Sequence, residues 1–370
     1  MSTTRREFLR HATAGGVGLL LGARPRAEPS PAERKLIIVL FGGGTRSSET
    51  IDDPERRHIP RLGNELVPRG TLYTNMRVEG RVVHPNSAGS IVTGHWEWDD
   101  LDWTRPVAHP TVFEVFRKTR GAPDTAAWAF VYASILANVG GSLAEGYGPA
   151  YAANVVEPPT IPRATAEAMD RLMRHAAAQG SPDAELEASA EAARLARSTS
   201  RLATAGLRSP EAREFVAREY ASWRDGEGST SHDAFLTDRA LACMATFAPS
   251  VLLVALGEID CAHYGSWSRY VDAIRRTDEL TWRLWRATEE LPAYRDRTRM
   301  LILPDHGREL DRPGRLGFIH HSDFYTGEGA DEGCRRVWML SLGPGAEPRT
   351  VGRPTPITSA SNISLNYLDL

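Results

Sequence analysis

Lysine is almost missing from this sequence: of 44 basic side chains only Lys35 and Lys118 are lysines. A compositional bias toward arginine accounts for this without any functional appeal. Positive charge is not in excess either, since 47 acidic residues give a net charge of -3. No nucleic-acid partner is expected, because such binding ordinarily needs a basic patch or stripe. Cysteine is scarce, at Cys243, Cys261 and Cys334. An odd count without regular spacing excludes a disulfide framework and leaves room for one bond at most. No apolar run approaches the ~20 residues that cross a bilayer, so no stable membrane span is expected. There is no internal repeat. What is present, 41% hydrophobic and 25% charged over 370 residues, is the make-up of a globular chain. It is long enough for one large domain with an insertion, or for two modest ones.

The amino terminus is organised differently from the rest. Thr4-Arg5-Arg6-Glu7-Phe8-Leu9-Arg10 precedes a mildly apolar stretch from Ala12 to Ala23, with Ala23 and Ala27 as small-residue ends. A basic segment, a short apolar segment and a small-residue boundary are the parts of an export signal. The paired arginines before Phe8-Leu9 resemble a twin-arginine signal, which implies the twin-arginine export machinery as a partner and a periplasmic or otherwise exported location. Residues 1–27 are therefore set aside from the fold. They hold five arginines and one glutamate, so the remaining chain carries about -7.

Lys35-Leu-Ile-Ile-Val-Leu-Phe41 is a continuous β-branched run, the pattern of a strand buried on both faces in a parallel sheet. Comparable runs occupy Trp128–Tyr132, Val251–Leu256, Met300–Leu303 and Val337–Leu342. Three of the five are followed by polar clusters: Gly42–Glu49, Glu258–His263 and Asp305-His306-Gly307. Ligands of open α/β sheets bind beyond the carboxyl ends of the strands, so these clusters are expected to converge. Between the strands, residues 161–247 are rich in Ala, Glu, Arg and Leu, with helices expected at Thr165–Ala178, Ala184–Ala205 and Pro210–Asp225. Ser209 before Pro210 is an N-cap signal.

Asp, Glu and His at strand ends are well placed to chelate a metal. Glu258, Asp260 and His263 follow one strand, Asp305 and His306 another, and His320-His321-Ser322 comes a short loop later. His84 and His95 are expected to be structural.

A strand ending in Asp305-His306-Gly307, preceded by an acid-and-His block and followed by a further His, resembles the alkaline phosphatase superfamily. The helix from Trp267 to Leu280 and the segment Thr93-Gly-His-Trp-Glu97 are similar to parts of that family, the latter to phosphopentomutases. The resemblance spans 35 to about 345. It implies a doubly wound α/β fold, a mostly parallel sheet flanked by helices. The core would be 34–160 and 248–350, interrupted by a helical cap insertion at 161–247. It also implies one or two divalent ions, zinc or manganese. One would be held by Asp260, His263 and His321, with Glu258 and His320 as substitutes, and a second by Asp305 and His306.

The sequence departs from the family pattern in three places. Gly42-Gly43-Gly44 stands where the first strand should end in a metal-binding Asp, and Ile91 stands at the nucleophile position. Asp260 and His263 are three apart, closer than is usual. Two readings follow. In one, neighbours compensate: Ser90 or Ser87 supplies a hydroxyl, Glu49 a carboxylate, and Arg46 grips the anion, or a single ion works with water. The protein is then an exported metal-dependent hydrolase of small anionic phosphate or sulfate esters; a mutase is disfavoured, because it needs the residue that Ile91 replaces. In the other, the protein is a non-catalytic relative that binds a metal or an anionic ligand.

Overall fold

A computed structural model describes residues 29–225, 231–264, 266–321 and 330–370; the arginine-pair segment at 1–27 and Ser322 lie outside them. The strands are β1 (Lys35–Leu40), β2 (Thr71–Arg77), β3 (Ala127–Val131), β4 (Asn154–Val156), β5 (Val251–Ala255), β6 (Thr298–Leu303), β7 (Arg336–Leu342), β8 (Arg349–Val351) and β9 (Thr355–Pro356). They form one sheet in the order β4-β3-β5-β1-β6-β7-β2-β8, with β9 on β2. Only β7 runs antiparallel to its neighbours β6 and β2; every other pairing is parallel.

Alternation along β1 explains the layering. Ile37, Val39 and Phe41 belong to one core cluster, and Leu36, Ile38 and Leu40 to the other. Side chains of a strand point alternately to the two faces, so an unbroken apolar run requires cover on both. One face is covered by α5 (Pro210–Arg224), α6 (His232–Phe247) and α7 (Trp267–Glu290). The other is covered by α1 (His84–Thr93), α2 (Val112–Arg120) and the last helix, Ser359–Leu368. This is the doubly wound, mostly parallel arrangement.

The segment at 161–247 divides in two. α3 (Arg163–Gln179) and α4 (Pro182–Thr199) pack on each other and bury only Ala176, Ala188 and Ala192. α5 and α6 instead send Phe215, Val216, Phe235 and Leu236 into the core of the sheet. No side chain of α3 or α4 belongs to either core cluster, whereas α5 and α6 are part of the α/β layer.

Candidate metal centre

β1, β5 and β6 are adjacent and parallel, so their carboxyl ends open onto one place. After β6 the chain continues directly into Asp305 and His306, both buried. Asp305 Oδ1 accepts from the His306 backbone N–H at 2.9 Å. After β5 comes a 3-10 segment, Glu258–Tyr264. Residues three apart eclipse on a 3-10 helix. The short spacing of Asp260 and His263 therefore puts both side chains on one side, with His263 Nε2 3.2 Å from Asp260 Oδ1. His263 Nδ1 donates to the Ile319 carbonyl at 3.0 Å. His321 joins them, its Nε2 2.6 Å from the same Asp260 oxygen.

The fourth contributor was not foreseen. His84 opens α1, a helix that ends at Gly94 in the left-handed conformation (φ 81°), a common helix stop. The His84 ring lies 4.4 Å from that of His306 and 4.9 Å from that of His321, centroid to centroid. Its Nδ1 is 2.8 Å from Asp305 Oδ2, and its Nε2 is 3.7 Å from Asp260 Oδ1. His84, expected to be structural, sits among the metal-type side chains. The sequence signal was the departure from the resembled family's pattern at Gly42-Gly43-Gly44 and Ile91, which prompts a search for another metal-type side chain.

Among the described residues, two groups have ligand atoms within 4.8 Å of one another: His84, His306 and His321, and Asp260, His263 and His321. In the first, all three residues are buried, and His84 Nε2, His306 Nε2 and His321 Nδ1 have no hydrogen-bond partner among the described residues. Burial pushes His306 down to about 4, against the pull of Asp305. Burial likewise holds His321 well below the usual imidazole range. Both rings are therefore neutral at physiological pH, the form that binds metal. Burial would lower His84 too, but the carboxylates of Asp305 and Asp260 outweigh it and push it up to about 10. Asp260 is buried enough to be raised, yet His263, His321 and His84 hold it far below the usual carboxylate range.

Two further residues frame the site. Arg308 is fully buried, with Nη2 donating to Asp260 Oδ1 at 3.1 Å and Nη1 to the Phe318 carbonyl at 3.2 Å. Tyr132, just past β3, meets the His84 ring edge-on at 5.8 Å, and its buried hydroxyl has no partner among the described residues. Burial raises that phenol well above its ordinary value, and the Asp305 and Asp260 charges add to the effect.

Other expected site residues are engaged elsewhere. Ser90 Oγ donates to the Asn86 carbonyl at 2.6 Å and accepts from Glu97 N at 3.2 Å, closing it inside α1 and its neighbouring loop. Ser87, one turn after His84, is also buried, and its Oγ has no partner among the described residues. Arg46 Nε donates to Glu49 at 2.8 Å and its Nη1 to the Glu309 carbonyl at 3.0 Å, while Glu49 accepts from Tyr270 at 3.1 Å. This pair clamps the loop after β1 to the loop after β6 and belongs to neither metal-type group. Glu258 accepts from Ser231 Oγ at 2.6 Å and pairs with Arg276, so it does not stand in for Asp260. His320 faces Glu309, 3.0 Å away. Its backbone is extended, and successive side chains of extended backbone point to opposite sides, which sends His321 toward the cluster and His320 away.

A cavity of about 600 Å³ opens at the other end of the sheet, between Arg69, Trp285, Tyr294 and Pro344. It contains no cluster of metal-type side chains.

No family model matches the sequence, and no curated protein matches it. Solved structures do. A sulfatase from Pseudoalteromonas sp. aligns over 91% of this chain and 68% of its own, at 12% identity and TM-score 0.52. A phosphonate monoester hydrolase of Agrobacterium radiobacter aligns over 91% and 74%, at 13% identity and TM-score 0.51. A lipoteichoic acid synthase from Listeria monocytogenes aligns over 91% and 72%, at 11% identity and TM-score 0.51. At such identities the likeness is one of fold, a mostly parallel sheet flanked by helices.

Proposed function

We propose that this protein is a metal-dependent hydrolase of phosphate or sulfate esters. The observation that carries the reading is the set of three buried imidazole nitrogens without partners, gathered beyond the carboxyl ends of the central strands. A buried polar atom left unpaired costs ~1–3 kcal/mol. Three in one place are poorly explained by packing and well explained by a ligand that satisfies all of them. The donor chemistry fits a divalent ion of the zinc class, because imidazoles with one nitrogen anchored and the other turned to the ion are the usual form of such ligands; on His84 the ion would take the place of the proton that Asp305 and Asp260 favour. When bound, the ion supplies Lewis acidity toward a phosphoryl or sulfuryl group.

The chain's own residues do the rest. Asp305, Asp260 and the Gly307 and Ile319 carbonyls hold the rings in orientation. The Tyr132 hydroxyl donates a hydrogen bond to a substrate oxygen. The ester class is supported by the fold's other holders, which include, by their names, a sulfatase and a phosphonate monoester hydrolase. The arginine pair and apolar stretch at 1–27 support export by the twin-arginine machinery to the periplasm or beyond.

Aryl phosphate, sulfate and phosphonate esters should be hydrolysed by the purified protein, and chelation should stop the reaction reversibly. A second reading is favoured by one observation: Ile91 is buried in the core and Ser90 is closed by hydrogen bonds, so neither offers a nucleophile. On that reading the protein binds a metal or anion without turnover. Metal binding with no hydrolysis of any of the three ester types would select it.

A further inference from the structure

Read by its sequence, the centre is two ligands short, at the end of β1 and on α1. We propose that His84 is a metal ligand, and that it forms with His306 and His321 a three-imidazole centre in which Asp305 and Asp260 hold rings rather than the ion. This rests on the metal-dependent reading above and specifies its site.

The first support is the division of labour on each ring. His84 Nδ1 is held by Asp305 at 2.8 Å, His306 Nδ1 by the Gly307 carbonyl at 3.0 Å, and His321 Nε2 by Asp260 at 2.6 Å. The opposite nitrogen of each ring makes no hydrogen bond among the described residues, the nearest carboxylate oxygen to His84 Nε2 being Asp260 Oδ1 at 3.7 Å. Metal-bound histidines are held in this way, with the second nitrogen donating to a carboxylate or carbonyl that fixes the tautomer.

The second support is the ledge of glycine after β1. A Cβ on Gly43 would lie 2.1 Å from His84 Cε1, 2.7 Å from Nδ1 and 3.0 Å from Nε2. Gly43 does not have a positive φ, so its backbone would accept any residue; what glycine provides is space. The volume into which a side chain from the end of β1 would grow is filled by an imidazole arriving from α1.

The alternative group, Asp260, His263 and His321, competes for the same ring. A neutral imidazole has one nitrogen lone pair to give, so His321 serves one group or the other. His321 Nε2 is already engaged by Asp260, whose Oδ1 also takes a bond from Arg308. His263 and Asp260 are each 32% exposed at the side chain, whereas His84, His306 and His321 are at 9% or less. Three nitrogen donors select zinc-class ions over manganese or magnesium, which prefer oxygen.

The test is cobalt(II) titration of the chelator-treated full chain, read by visible absorption and by metal content after dialysis. His84→Ala should lower affinity by ~100-fold or more, above the ~10–100-fold that a ring-holding residue costs. Asp305→Asn should weaken binding within that lower range and keep the spectrum, and His263→Ala should keep both. Circular dichroism of the metal-free variants checks that each is folded. Binding that survives His84→Ala but is lost in His263→Ala or Asp305→Asn overturns the three-imidazole centre and leaves the metal-dependent reading standing. A wild-type chain that binds no divalent ion overturns both.

Discussion

Replacing Gly43 by alanine adds one methyl group and removes no ligand, yet it should disable the centre. The new Cβ would stand 2.1 Å from His84 Cε1 and 2.7 Å from Nδ1. Carbon atoms rest near ~3.5 Å, so the ring must retreat by more than ~1 Å. His84 Nδ1 is 2.8 Å from Asp305, and such a retreat breaks that bond. A hydrogen bond to a charged group contributes ~1.5–3 kcal/mol, and overpacking a filled site costs a further ~1–3 kcal/mol. Against this, alanine narrows the unfolded ensemble and returns ~0.4–1 kcal/mol. The net expectation is a metal-free protein destabilised by about 2–5 kcal/mol. Urea denaturation in chelator gives the first number, and cobalt titration should show a loss as large as that of His84→Ala. A Gly43→Ala protein as stable as wild type that binds cobalt normally would refute the packing of His84 on this ledge.

Four other outcomes are expected. Tyr132→Phe should keep the metal and lower kcat/KM for aryl esters by ~10-fold, the effect of losing one hydrogen bond of ~1.4 kcal/mol in the transition state; unchanged turnover would remove Tyr132 from the site. Ser90→Ala should leave metal binding unaltered and cost only ~1–2 kcal/mol of stability by denaturant unfolding, because its hydroxyl bonds lie within the α1 region. Asp278 is pushed up to about 7 by burial, against the pull of the Leu62 and Arg61 backbone N–H groups. Its folded form holds a proton that the unfolded chain releases near pH ~4, so its contribution is full below that pH and fades as pH rises toward 7. Asp278→Asn should flatten that part of the stability profile, by an amount on the order of 2–4 kcal/mol between pH ~4 and ~8. Glu114 is buried and accepts from Thr111 N and Oγ1, Ser142 N and Oγ, and Gly148 N. Glu114→Ala should therefore cost ~4 kcal/mol or more in thermal or urea unfolding, since several buried donors lose their acceptor at once.

The sheet's central strands were legible because burial on both faces writes itself as unbroken apolar runs: β1, β3, β5, β6 and β7 all read this way. β2, Thr-Leu-Tyr-Thr-Asn-Met-Arg, did not, since three of its central residues are only partly buried and the run is mixed. β4 is three residues long and offers no period to detect. α1, His-Pro-Asn-Ser-Ala-Gly-Ser-Ile-Val-Thr, has the composition of a turn, and packing rather than propensity makes it a helix. That hid His84, because the ring's position depends on a helix start that Pro85 alone signals, without a Ser, Thr, Asp or Asn N-cap before it. Asp305, His306 and Asp260 could be placed from strand ends alone. Glu258, Arg46 and His320 could not be sorted, because the facing of a side chain on a loop or a 3-10 turn follows from backbone angles that periodicity does not carry.

Elemental analysis of the purified protein without added metal is the most direct test of a metal-dependent centre built on His84. A zinc-class ion retained through dialysis by wild type, and lost in His84→Ala while the fold persists, is the expected result. A folded wild-type chain that carries no ion and takes up none would contradict it.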